Sequence, residues 1–192
     1  VYFQGLDVTC HRYWGQWDPS TIDIQLSDEM METYSELIPR YYEHFDKVVG
    51  ELLDHIDEDS TVIICSDHGF RGPYRSPRGL LLGIWMHRQT GVMIAAGPGI
   101  KAGVTSDIPT GNVDITPTAL RLVGATVPDG LDGRVLEEIV IGGPQPASLA
   151  GQADFVQAST EIGGVRYEVT AYRLGIGTST YFSGTDVTRT AP

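Results

Sequence analysis

Thr61-Val62-Ile63-Ile64-Cys65-Ser66-Asp67-His68-Gly69 is the stretch on which the reading of this chain turns. Residues 61–65 form a nearly continuous apolar run, the pattern of a strand buried in a parallel sheet. The run empties directly into Asp67 and His68. Charged groups at the carboxyl end of a parallel strand are where α/β enzymes place their sites. Gly69 lets the chain turn sharply, so both side chains can reach one ion. The plainer reading is a strand-to-loop turn with a hydrogen-bonded Asp. It weighs less, because a hydrophobic strand emptying into Asp-His-Gly is an unusual sequence.

Outward from that stretch the pattern alternates. Upstream, residues 57–60 are a polar break. Before them Phe45, Val48, Val49, Leu52, Leu53 and Ile56 recur at three- and four-residue steps, predicting a helix over about 35–56. Residues 7–30 are polar and aromatic, with Asp18-Pro19-Ser20 as a turn signal, and residues 1–6 read as a strand. Downstream, residues 69–83 read as a loop rich in Gly, Pro and Arg. Residues 91–96 read as a second buried strand ending at Gly97-Pro98-Gly99. Residues 116–123 read as a short helix, with Pro117 in its first turn and Gly124 ending it. Strands alternating with helices predict an α/β fold, a mostly parallel sheet flanked by helices. Gly142-Gly143-Pro144-Gln145-Pro146 marks a linker, dividing the chain into residues 1–141 and a tail over 142–192. The tail is rich in Thr, Val, Tyr and Gly, reads as short strands or an extended arm, and carries no recognisable chemistry.

The 192 residues suffice for a domain with a real core. A net charge of -12, from 13 basic and 25 acidic side chains, disfavours nonspecific nucleic-acid binding. It leaves a phosphorylated substrate open, because bound cations invert the local sign of a pocket. No apolar window is long enough for a membrane span, so the chain reads as soluble. Cys10 and Cys65 make no disulfide framework, and Cys65, in its apolar run, reads as a small core residue. Val1-Tyr2-Phe3-Gln4-Gly5 has the look of a protease-cleavage remnant, but its strand formers would deliver Asp7 to a site, so it is read as native. The true amino terminus is expected to lie upstream.

Two further clusters join Asp67 and His68. In Asp7-x-x-x-His11 a helical turn would put a carboxylate and an imidazole on one face, a pair suited to zinc or a similar ion. Alone this is a weak signal, since Asp7 could equally cap a helix. His87 is the third member, and a lone His is more often structural. Its case rests on company: Asp7, His11, Asp67, His68 and His87 supply five oxygen and nitrogen ligands. That is too many for one tetrahedral ion and suits two ions about 3.5–4 Å apart. His44 and His55 are assigned to structure. Arg71, Arg75, Arg78 and Arg88 fit a solvated basic loop as well as they fit phosphate contact.

Together these motifs resemble a known family. Gly5-Leu6-Asp7-x-x-x-His11, Ser66-Asp67-His68-Gly69-Phe70, and His87-Arg88-x-x-Gly91 leading to Ala96-Gly97-Pro98-Gly99-Ile100 are similar, in order, to the type I phosphodiesterase/nucleotide pyrophosphatase branch of the alkaline phosphatase superfamily. Val113-Asp114-Ile115-Thr116-Pro117-Thr118 and Leu131-Asp132-Gly133-Arg134 extend the likeness to about residue 137. The resemblance implies an alkaline phosphatase-like fold whose amino-terminal half is absent. It implies a complete metal site of Asp7, His11 and His87, and half of a second site in Asp67 and His68. It implies two divalent cations, zinc first, with manganese or iron as alternatives, and a small phosphate-ester substrate such as a nucleotide. The family completes the second site with an earlier Asp and a Thr or Ser that attacks phosphorus covalently. Thr9, Thr61 and Ser66 do not stand in that position, so the nucleophile is expected upstream of Val1 and this chain is expected to be catalytically incomplete. The sulfatase and phosphomutase branches of the same fold, and a non-catalytic metal-stabilised binding or assembly domain, are the competing readings.

Overall fold

A computed structural model describes residues 1–22, 24–72, 74–75, 81–82, 86–144, 152–177 and 179–190. The chain divides into two compact units, Val1–Ser60 with Ile64–Met93, and Thr61–Ile63 with Ile94–Pro192.

The first unit opens with three helices: α1 (Gly5–Trp17), α2 (Asp28–Tyr34) and α3 (Leu37–Leu53). Ser27 caps α2 by accepting from the Met30 N–H at 3.3 Å, and Asp28 and Glu29 in its first turn complement the helix dipole. α1 packs on α3, burying Cys10 and Ile38. A Cβ on Gly5 would lie 1.7 Å from the Tyr41 hydroxyl, so the start of α1 rests directly on α3.

The strand expected over residues 1–6 does not form. Val1 to Gln4 are irregular and Gly5 already begins α1. Val-Tyr-Phe favours a strand only where a neighbouring strand supplies hydrogen bonds. Among the described residues none pairs with it, and Phe3 instead packs edge-on against Phe45 at 5.2 Å.

Short strands follow: β1 (Val62–Cys65), β2 (Gly69–Arg71), β3 (Tyr74–Arg75), β4 (Leu81–Leu82), β5 (Met86–Arg88) and β6 (Met93–Ala96). β2 pairs antiparallel with β5, and β3 with β4, so the expected loop over 69–83 holds three strands, β2, β3 and β4, of two nested antiparallel pairs. β1 pairs with β6. At one end the Thr61 hydroxyl donates to Pro98 O at 2.6 Å; at the other the Ser66 N–H donates to Val92 O at 2.9 Å. These contacts run the two strands in opposite directions.

The chain is α/β, but the mostly parallel sheet is not what its described strands form. Parallel neighbours need a crossover, usually a helix. The segment between β1 and β6 contains, among the described residues, strands and no helix. Burial also differs from the reading of residues 61–65 and 91–96: Cys65 is exposed rather than in a core, and Ile94 is 57% exposed.

In the second unit α4 (Ile115–Leu122) closes with Gly124 at φ 72°, as its sequence predicts. Ile100, Leu136 and Val140 are buried there, and the Leu136 N–H donates to the buried Thr118 hydroxyl at 3.0 Å. Arg134 grips the buried Glu138 carboxylate with two bonds of 2.7 and 2.8 Å. Burial pushes that carboxyl up, but the bonds from Arg134, a backbone N–H and the Arg134 and Lys101 charges outweigh it and hold it below the usual range. The tail is a three-stranded antiparallel sheet of β7 (Gln152–Ile162), β8 (Val165–Ile176) and β9 (Ser179–Thr190), longer and more regular than an arm. Among the described residues no helix is long and apolar enough to cross a membrane.

Candidate metal centre

All five ligand-type residues singled out in the sequence lie in the first unit. α1 carries Asp7 and His11 one turn apart, and the helical face brings the His11 Nε2 within 3.2 Å of the Asp7 Oδ1. β5 carries His87, whose Nε2 lies 3.3 Å from the same oxygen and 3.0 Å from the His11 Nε2. The three atoms form a nearly equilateral triangle. Ligands held tetrahedrally at about 2.0–2.1 Å are separated by about 3.3 Å, so the triangle has the size of one face of such a shell.

The polar accounting points the same way. The Asp7 Oδ1 is buried and has no hydrogen-bond partner, although three imidazole nitrogens stand within 3.7 Å of it. A buried carboxylate oxygen normally collects donors. No ring N–H is aligned on this oxygen; the His11 and His87 Nε2 atoms instead share one hydrogen bond at 3.0 Å, and a cation between the three atoms would satisfy all of them. One carboxylate oxygen and two imidazole nitrogens are a donor set suited to zinc, manganese or iron.

His68 and Asp67 stand beside this triangle. The His68 Nδ1–H donates to Gly69 O at 3.0 Å, which fixes the ring and turns its other nitrogen, Nε2, toward the cluster. That Nε2 is 3.7 Å from the Asp7 Oδ1 and 3.7 Å from the Asp67 Oδ1. The His68 ring stacks on His87 with centroids 3.6 Å apart, while the Asp67 side chain is 66% exposed. Asp7, His11 and His87 therefore converge, and Asp67 and His68 line the edge of the same cluster.

The turn that sets this geometry depends on two close approaches. A Cβ on Gly69 would fall 2.1 Å from Thr90 O, and one on Gly91 would fall 2.4 Å from the Ser66 hydroxyl. Only glycine lets the Asp67-His68 turn lie this close to residues 90–91. The Ser66 hydroxyl also accepts from the Val92 N–H at 2.8 Å. Sequence reading considered Ser66 only as a nucleophile; its spacing to Gly91 and Val92 carried no signal of a bracing role. Thr9 is likewise occupied, donating to Gly5 O at 2.8 Å within α1.

The neighbouring residues are less chemical. Cys10 is buried one residue before His11, and burial together with the Asp7 charge pushes its thiol up to about 11, so it stays protonated at neutral pH. His44 and His55 are exposed. Arg88 is exposed, whereas Arg78 and the Arg75 side chain lie outside the described residues.

Known proteins match this chain over limited stretches. It is 33% identical over 90 residues to sulfatase ppz1 from Metarhizium majus, covering 45% of this chain and 21% of that protein. It is 28% identical over 142 residues to an ulvan-active sulfatase from Formosa agariphila, covering 67% and 28%. It is 33% identical over 91 residues to a choline-sulfatase from Rhizobium meliloti, covering 44% and 17%. The chain thus spans between 17% and 28% of the length of these relatives. A solved phosphonate monoester hydrolase from Silicibacter pomeroyi aligns with 97% of this chain and 42% of its own, at TM-score 0.47 and 17% identity. Residues 1–118 match the sequence model of the type I phosphodiesterase/nucleotide pyrophosphatase family, and the chain belongs to that family of hydrolases.

Proposed function

We propose that this chain is the metal-binding portion of a phosphodiesterase/nucleotide pyrophosphatase-type enzyme that uses two divalent cations, zinc foremost, with manganese or iron as alternatives. The observation that carries the reading is the triangle of Asp7 Oδ1, His11 Nε2 and His87 Nε2, whose carboxylate corner is a buried oxygen with no hydrogen-bond partner. Asp7, His11 and His87 hold one cation. Asp67 and His68 supply part of the second site. When bound, the cations provide Lewis acidity and charge neutralisation for the attacking and leaving oxygens at phosphorus.

The chain's own residues perform the positioning. α1 fixes Asp7 and His11 on one face, β5 presents His87, and the His68 Nδ1–H bond to Gly69 O aims the other ring nitrogen at the cluster. Ser66 and Gly91 brace the turn between them. The attacking hydroxyl and the remaining ligand of the second site come from outside these 192 residues. Residues 1–141 form part of the catalytic domain, and 142–192 form an appended β module. In the whole protein β1 and β6 join a larger, mostly parallel sheet. The substrate is a small phosphate ester such as a nucleotide.

Relatives named as sulfatases favour a second reading, hydrolysis of a sulfate ester at the same cluster. Nitrophenyl phosphodiester and nitrophenyl sulfate, each with zinc or manganese, separate the two when assayed on the whole protein. Substituting Asp7 and His11 by Ala should abolish turnover. On its own the chain should turn over neither substrate measurably, since positioned ligands without a nucleophile leave most of the barrier in place. Robust turnover by the isolated chain, lost on the double substitution, would overturn its incompleteness and keep the metal assignment.

A further inference from the structure

We infer that Phe70 is a positioning residue for this cluster: its ring is the wedge that sets the planes of His11 and His87. The inference rests on reading Asp7, His11 and His87 as a metal site. Phe70 follows Gly69 in β2, and the β2–β5 register places it directly opposite His87. Its ring meets the His11 ring edge-on, with centroids 4.9 Å apart and planes at 80°. It lies 6.0 Å from the His87 ring at 59°, and is backed on the α1 side by Trp14 at 4.9 Å. Trp14 is in turn held edge-on by Trp17 at 4.7 Å. One side chain thus touches both imidazoles of the triangle from two different elements, α1 and β5.

The geometry matters because, apart from its contact with His87 (Nε2 atoms 3.0 Å and ring centroids 5.0 Å apart), the His11 ring has no anchor at its second nitrogen. Its Nδ1 is buried without a hydrogen-bond partner. In metal sites that nitrogen ordinarily donates to a carboxylate, carbonyl or water, which fixes the ring before the ion arrives. For His11 the T-shaped contact with the Phe70 ring takes the place of that bond. An edge-to-face contact sets a ring plane while leaving Nε2 pointed at Asp7 and His87. His68 shows the alternative device, with its Nδ1–H tied to Gly69 O. A ring merely filling the α1–β2 interface would be replaceable by any apolar side chain of similar volume. A wedge would not.

Phe70→Leu keeps an apolar side chain, Phe70→Tyr keeps the ring, and Trp14→Leu removes only the backing. Zinc affinity is measured by competition with a chromogenic chelator, the fold by metal-free thermal unfolding and circular dichroism. Ring environment is read from the His11 and His87 Cε1–Hε1 resonances of the metal-free protein. Phe70→Leu should lower zinc affinity about 10–100-fold, the range for losing an outer partner of a ligand. Phe70→Tyr should stay within about threefold of the parent, and Trp14→Leu should fall between. In metal-free Phe70→Leu both histidine resonances should move and broaden. Unchanged affinity and unchanged histidine resonances in a folded Phe70→Leu would overturn the inference, as would an affinity loss that Phe70→Tyr shares in full. If Phe70→Leu fails to fold, the Tyr and Trp14 variants decide: Tyr at parental affinity with Trp14→Leu weakened supports the wedge, and any other pattern rejects it. Should the parent protein bind no zinc, the metal reading fails, and the histidine resonances alone decide whether Phe70 sets the rings.

Discussion

Asp7 and Asp114 are both carboxylates at the start of helical segments, and their surroundings could hardly differ more. Asp114 is fully buried, and its oxygens accept from the Gly111 N–H at 2.8 Å, the Arg134 N–H at 2.8 Å and the Tyr181 hydroxyl at 3.0 Å. Every donor has an acceptor, and the carboxylate stitches the 111–114 turn, residue 134 and β9 into one network. Asp7 keeps a buried oxygen that no donor reaches, with imidazole nitrogens crowded round it. A completed network is what folding stability selects. An incomplete one, built from ligand-type atoms at ligand-shell spacing, stabilises nothing until a cation arrives. The contrast separates structural from functional acid in one chain.

The largest expected effect is on the structural side. Asp114→Ala strands three donors, each costing about 1–3 kcal/mol, so the metal-free protein should lose on the order of 3–5 kcal/mol in denaturant unfolding. Asp7→Ala removes an acceptor that has no donor, and its metal-free stability should change by less than about 1 kcal/mol. Equal losses at the two positions would break the distinction.

Tyr181→Phe sharpens it at a smaller scale. Losing one hydrogen bond to Asp114 should cost about 1–2 kcal/mol near neutral pH. Burial, then the Asp114 charge and hydrogen bond, pushes the Tyr181 hydroxyl up to about 12. The folded state therefore holds this proton more tightly than the unfolded chain. Its contribution is complete below the ordinary tyrosine value of about 10 and is lost as pH rises from there toward 12. Unfolding curves across that window should fall with pH in the parent, and the fall should be shallower in Tyr181→Phe.

The smallest effect is expected at Asp67. Its side chain is 66% exposed and outside the triangle, so Asp67→Asn should change the affinity for the first zinc by less than about threefold, the scale of an exposed charge. A larger change would place Asp67 on the first cation.

Much of this arrangement was legible in the residues, for reasons that differ by element. The four-residue step between Asp7 and His11 shows whenever the segment is helical, because helical periodicity is local. α3 and α4 were readable on the same ground, through the apolar steps up to Ile56 and the stop at Gly124. Strand pairing is not local. Residues 61–65 and 91–96 announce strands, but their antiparallel direction depends on whether a helix lies between them, and Gly-, Pro- and Arg-rich composition hid β2, β3 and β4 inside an apparent loop. Residues 1–6 misled because Val-Tyr-Phe carries strand propensity without a partner. Asp114 was noticed only as part of a motif; nothing local signals that Tyr181, 67 residues onward, completes its hydrogen bonds. The bracing of Ser66 by Val92 and the wedge at Phe70 are tertiary in the same sense.

The central claim is that the unpartnered oxygen of Asp7 marks a cation site shared with His11 and His87. Zinc titration of the metal-free chain, with Asp7→Ala beside it and X-ray absorption on the zinc-loaded sample, tests it most directly. The account predicts saturable binding of a tight ion, nitrogen and oxygen ligands at about 2.0–2.2 Å, and an affinity loss of about 100-fold or more in Asp7→Ala with its fold retained. Absence of saturable binding, or binding that Asp7→Ala leaves intact, would contradict it.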